Sequence, residues 1–124
     1  HLYGTTTLAQ IQARTEALAA ELGLACDFRQ TNHEGVLVDW IQEAFDKEAA
    51  VIINPAGFSF GCVPVLDALK LIAKPVIEVH ISNVLKREEF RHTSMIGGVC
   101  LGTISGLGTD GYRLAVDHLL SRGA

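Results

Sequence analysis

Two short runs, Ala50 to Asn54 and Pro75 to His80, constrain this chain more than anything else in it. Each is apolar almost without a break, so neither has the alternation of a strand with one wet face. Such runs suit strands buried on both faces, as in a parallel sheet covered by helices. Parallel strands need a long crossover, and Val63 to Ala73 supplies one that reads as a helix. Within Thr5 to Leu22, the residues Leu8, Ile11, Leu18 and Leu22 recur at helical spacing. Thr7 with Gln10 there forms a capping-box pattern, and Gly23 supplies a stop. Leu24 to Gln30 alternates in part and is expected as a strand. It leads through the polar turn Thr31 to Gly35 into a helix from Val36 to about Lys47, with Leu37, Trp40, Ile41 and Ala44 on one face. Met95 to Ser105, glycine-rich and apolar, is expected as one more strand, and Gly108 to Leu120 as a closing helix.

Strands alternating with helices in this way predict an α/β fold of flavodoxin-like type, a doubly wound parallel sheet with helices on both faces. Hydrophobic residues make up 48% of the 124 and charged ones 19%, enough for a proper core. A single domain over residues 1–124 is therefore expected, with no repeat, linker or low-complexity segment. The net charge of −4, with ten scattered basic residues, argues against a nucleic-acid partner or an anionic membrane surface. Cys26, Cys62 and Cys100 are odd in number, share no metal spacing and sit among apolar residues. That fits reduced thiols and a cytoplasmic location. No apolar run approaches membrane-spanning length. The spacing of the histidines suggests no metal site either.

In doubly wound sheets a ligand lies at the carboxyl ends of the strands, and the polar residues collect there. Glu78 and His80 stand two apart on an expected strand and so point to one face, where the carboxylate can bond one ring nitrogen and favour the imidazolium. The pair reads either as a tuned general acid or as a buried ion pair without catalytic duty. Asn54, before Pro55, is either a ligand contact or a turn former that ends its strand. Arg87 and Arg91 suit carboxylate capture, though mixed charge in a loop also fits solvated surface. The loop Ala56 to Gly61 matches no phosphate-binding fingerprint. Tyr3 reads as a surface residue unless a neighbouring cation activates its phenol.

Several blocks in order are more specific: Tyr3-Gly4-Thr5-Thr6-Thr7-Leu8, Phe28 to Gly35 with Asp39-Trp40-Ile41, Ile53-Asn54-Pro55, Pro75 to Asn83, Arg87 to Ser94, and Gly106-Leu107-Gly108 through Ala115. Together they resemble the type II 3-dehydroquinate dehydratases of the shikimate and quinate pathways, over nearly the whole chain. The resemblance implies anti elimination of water from 3-dehydroquinate to give 3-dehydroshikimate through an enolate, with no cofactor and no metal. It implies that Tyr3, on a lid, takes the proton beside the ketone and that His80, partnered by Glu78, protonates the leaving hydroxyl. Asn54, the amides of Ile81 and Ser82, and Arg91 would then bind substrate. Asp67 would reach the site of a neighbouring subunit in a homo-oligomer, a dodecamer built of trimers. Two departures from the family pattern stand out. Phe60 occupies the place of a substrate-contacting histidine, and the family's first strand, ending in Asn-Gly-Pro-Asn, and its lid arginine have no counterpart in these residues. The chain is thus expected to lack that strand, removed or not shown. The alternative expectation is a dehydroquinase-like binding or scaffold module without turnover, or with another ligand.

Overall fold

The computed structural model describes residues 7–56, 62–89 and 94–123. The chain opens with helix α1, Leu8–Glu21, whose start is a complete capping box. Thr7 Oγ1 accepts from the Gln10 amide, while Gln10 Oε1 accepts from the Thr7 amide. Its end is equally defined: Leu24 N–H donates to Ala19 O and Gly23 N–H to Ala20 O, the paired bonds that close a helix on a left-handed glycine. Helix α2, Glu34–Asp46, begins two residues earlier than its apolar pattern suggests. Glu34 in the first turn is favourable beside the positive end of the helix dipole. Strand β1, Val51–Ile53, stops at Asn54-Pro55 as expected. Helix α3, Val63–Lys70, is three residues shorter than predicted. Tight bonds from Leu71 to Ala68 O and from Ile72 to Leu69 O unwind its end, and Pro75 keeps the preceding residue out of helical backbone. Strands β2, Val76–His80, and β3, Gly102–Ser105, follow, and helix α4, Asp110–Ser121, closes the chain.

The described sheet is parallel throughout, in the order β1-β2-β3, with Ile53 beside Glu78 and His80 beside Ser105. Its two faces are covered separately. Val51, Ile53 and Val76 pack with Ile41 of α2, Val65 and Leu69 of α3, and Ile96. Ile52, Ile77, Val79 and Ile104 pack with Ala115 and Leu119 of α4, against which α1 lies in turn. Helices on both faces of a parallel sheet make the arrangement doubly wound. Full burial of side chains such as Ile11, Leu69 and Ile96 stabilises the fold by about 1.5–3 kcal/mol each.

Two expectations are corrected. Leu24 to Gln30 is not a strand: a strand exists only through a hydrogen-bonded neighbour, and among the described residues nothing forms a ladder with this segment. Side chains hold it instead. Arg29 bonds Asp27 and Glu43 and lies 5.5 Å over the Trp40 ring, and Phe28 leans on Tyr112. Nor is Met95 to Leu101 a strand. Gly97–Val99 forms a 3₁₀ turn, and the ladder with β2 is taken up only at Leu101, whose N–H donates to Val76 O.

The Arg29 clamp gives a direct prediction. Bonds from Arg29 and then Lys47 hold the Glu43 carboxyl at about 2, below its ordinary 4.5. A depressed carboxylate adds stability that is fully present above its ordinary value and lost as pH falls through the folded one. Trp40 is the single tryptophan, so its fluorescence reports this clamp. Its emission is expected to shift as pH approaches 2, and Glu43→Gln is expected to give the same shift at pH 7. An unchanged spectrum in that variant would show that the carboxylate does not place Arg29.

Candidate active site

Glu78 and His80 are consecutive residues on one face of β2, the face that α2, α3 and Ile96 cover. Glu78 is 0% exposed and His80 6%. His80 Nε2 is paired with Glu78 Oε2. Two ionisable groups at this depth are tolerated because each answers the other; removing one member of such a pair costs about 3–5 kcal/mol. Ser94 completes the arrangement: its hydroxyl donates to Glu78 Oε1 and Oε2, at 3.1 and 2.9 Å, and its oxygen accepts from the Gly97 N–H at 3.2 Å.

Beyond His80 the chain leaves the sheet. The last register pair of the ladder is His80 with Ser105, so the amides of Ile81 and Ser82 fall past it, at the carboxyl end where ligands of such sheets collect. This corner is fixed from the β3 side. Gly106 N–H donates to His80 O, Gly108 N–H to Ile81 O, and Ser105 Oγ to Ser82 O. Gly106 has φ +86°, and its α-carbon stands so close to Asn83 that an added Cβ would lie 2.8 Å from the Asn83 Cβ. Asn83 Oδ1 in turn accepts from the Leu85 amide.

Asn54 stands at the end of the neighbouring strand, half-buried, with its amide oriented at both ends. Its Nδ2 donates to Tyr112 Oη at 2.9 Å and its Oδ1 accepts from the Ala56 N–H at 3.2 Å. Paired strands in register bring Asn54 and the His80 corner to the same edge of the sheet. Asp67, by contrast, is exposed on α3. Tyr3, Phe60 and Arg91 lie outside the described residues. Two residues escaped the sequence reading. Ser94 lies sixteen positions from Glu78 and only the fold brings them together, while Tyr112 offered no local sign beyond its place on the α4 face.

The carboxylate is felt nearby. Burial first, and the Glu78 charge second, push the Cys100 thiol from 9.0 up to about 11. At pH 8 its thiolate fraction is therefore about a hundredfold below that of an ordinary cysteine. Cys100 is expected to react with iodoacetamide slower by about that factor. Alkylation at the rate of a free thiol would show that neither burial nor the Glu78 charge suppresses the thiolate. The three cysteines are free thiols, and among the described residues no cluster of histidine, cysteine or carboxylate could hold a metal. No helix among them is long and apolar enough to cross a membrane.

Comparison with known proteins bears on this geometry. A family model described as dehydroquinase class II matches residues 1–120. A 3-dehydroquinate dehydratase of Mesorhizobium japonicum is 51% identical over 122 residues, which are 98% of this chain and 85% of that protein. A protein of Pseudomonas aeruginosa named 3-dehydroquinate dehydratase 2 is 48% identical over 120 residues, 97% of this chain and 81% of its own. Among solved structures, the type II dehydroquinase from Propionibacterium acnes superposes with a TM-score of 0.93 at 45% identity, covering 96% of this chain and 82% of that one.

Proposed function

The chain belongs to the class II dehydroquinase family, and from that premise we propose that it removes water from 3-dehydroquinate to give 3-dehydroshikimate, with His80 as the general acid. The observation that carries this reading is the buried Glu78–His80 pair at the carboxyl end of β2. On this reading the carboxylate of Glu78, engaging Nε2, orients the ring for proton delivery. In the first step Tyr3 takes a proton from the carbon beside the ketone, and the electron pair moves onto the ketone oxygen as an enolate. In the second the enolate collapses, the carbon–oxygen bond to the hydroxyl breaks, and the proton from His80 completes the water. Asn54, whose amide is already oriented by Tyr112 and Ala56, bonds a ring oxygen. The amides of Ile81 and Ser82 hold the carboxylate, and Arg91 grips a ring hydroxyl.

The chain acts as one domain on this reading, in the cytoplasm, as a homo-oligomer assembled from trimers in which Asp67 faces a neighbouring subunit. Its exposed position on α3 is compatible with that contact. Phe60 favours a second reading: an apolar wall in place of a hydrogen-bonding histidine leaves one substrate hydroxyl unpartnered, at about 1–3 kcal/mol if buried. The product is a conjugated enone, so absorbance follows turnover continuously. Turnover well above background supports the dehydratase. Its absence in protein with an intact circular dichroism spectrum would leave the altered-ligand module standing.

A further inference from the structure

The Glu78–His80 pair does not hold itself in place. A carboxylate carries two oxygens and about four acceptor sites, and here an imidazole occupies one. A fully buried carboxylate on a single partner can still turn about its last bond and carry the ring with it. Ser94 prevents this by reaching both oxygens at once, at 3.1 and 2.9 Å. The direction of these bonds follows from the Gly97 amide, which donates to the Ser94 oxygen and so leaves the hydroxyl hydrogen for Glu78. The turn at Gly97 lies against the pair: a Cβ there would be in ordinary contact with the Ser94 Cβ at 3.4 Å and with Glu78 Oε1 at 3.5 Å.

We propose that Ser94, set by the Gly97 amide, is a positioning residue for proton donation: it locks the Glu78 carboxylate and so holds the His80 ring in the orientation from which it delivers its proton. The role builds on the dehydratase reading, because it acts through His80. Ser94 itself touches neither substrate nor reacting atoms in this scheme. Its loss should therefore lower kcat and leave KM nearly unchanged.

The test uses Ser94→Ala and Ser94→Cys in the full chain. Cysteine keeps nearly the volume of serine but donates weakly, so a packing role would spare it and a hydrogen-bonding role would not. Both variants are expected to lose about ten- to hundredfold in kcat, on the scale of the loss when a hydrogen bond that orients a metal-ligating histidine is removed. KM should stay within about twofold. In ¹⁵N-edited spectra the His80 ring resonances should move in both variants, while thermal melts show the fold retained. Wild-type kcat in Ser94→Cys, or His80 resonances unmoved in both variants, would overturn the assignment. If the unmodified protein shows no turnover, the dehydratase reading fails by itself, and the His80 spectra still decide whether Ser94 holds the pair.

Discussion

Replacing His80 with glutamine is expected to lower turnover of 3-dehydroquinate by about a hundred- to ten-thousandfold, the contribution of a well-placed general acid. Glutamine is chosen for a reason that the burial makes plain. With Glu78 at 0% exposure, His80→Ala would strand a carboxylate in the core at about 3–5 kcal/mol, confusing lost chemistry with lost fold. The glutamine amide can still donate to Glu78 while carrying no transferable proton near neutrality. The melting temperature should fall by only a few degrees, and KM should change little, since the proton matters in the transition state and not in binding. Steady-state absorbance kinetics with a thermal melt on the same sample make the measurement. Activity within tenfold of wild type would assign the acid to another group.

The second large effect is expected at Gly106→Ala. The residue has φ +86°, and an added Cβ would meet the Asn83 Cβ at 2.8 Å and its Cα at 3.1 Å. A left-handed backbone costs an L residue about 1–2 kcal/mol, and forcing atoms into an occupied site adds about 1–3 kcal/mol. A loss of about 2–5 kcal/mol by denaturant unfolding is therefore expected. The atoms that must yield belong partly to backbone, so the stretch Ile81 to Asn83 should move, and KM should rise as the amides proposed to hold the substrate carboxylate leave their places. Gly108→Ala is the internal control. Its φ is +60° and nothing lies within 4 Å of the position a Cβ would take, so only the backbone penalty of about 1–2 kcal/mol should remain. Equal losses at the two sites would show that contact with Asn83 carries no weight.

Local signals served well where one interaction decides. The capping box at Thr7 and Gln10, the stop at Gly23 and the break after Asn54 are each written in two or three neighbouring residues. The Glu78–His80 pair was legible for the same reason, since strand geometry alone puts residues two apart on one face. Segments whose state depends on distant partners were not. Leu24 to Gln30 has strand-like composition, but pairing is a property of two segments, and the described contacts hold this one through Arg29 and Phe28. Met95 to Leu101 looked extended because it is apolar; the Gly97 amide bonding back to Ser94 turns it. Ser94 itself was visible only within the family-like block, since no periodicity links positions 78 and 94. The role of Tyr3, by contrast, came from resemblance alone.

β2 is the middle strand of the described sheet, bonded to β1 on one side and β3 on the other. Freeing its amides means parting two ladders and opening both apolar layers, so hydrogen exchange at Val76 to His80 should follow unfolding of the whole molecule. His80, the proposed proton donor, is thus anchored in what should be the slowest-opening part of the protein, already ordered before a ligand arrives. Past the ends of β1 and β2, Asn54 and the stretch Ile81 to Asn83 are held by side-chain and turn hydrogen bonds in place of a ladder.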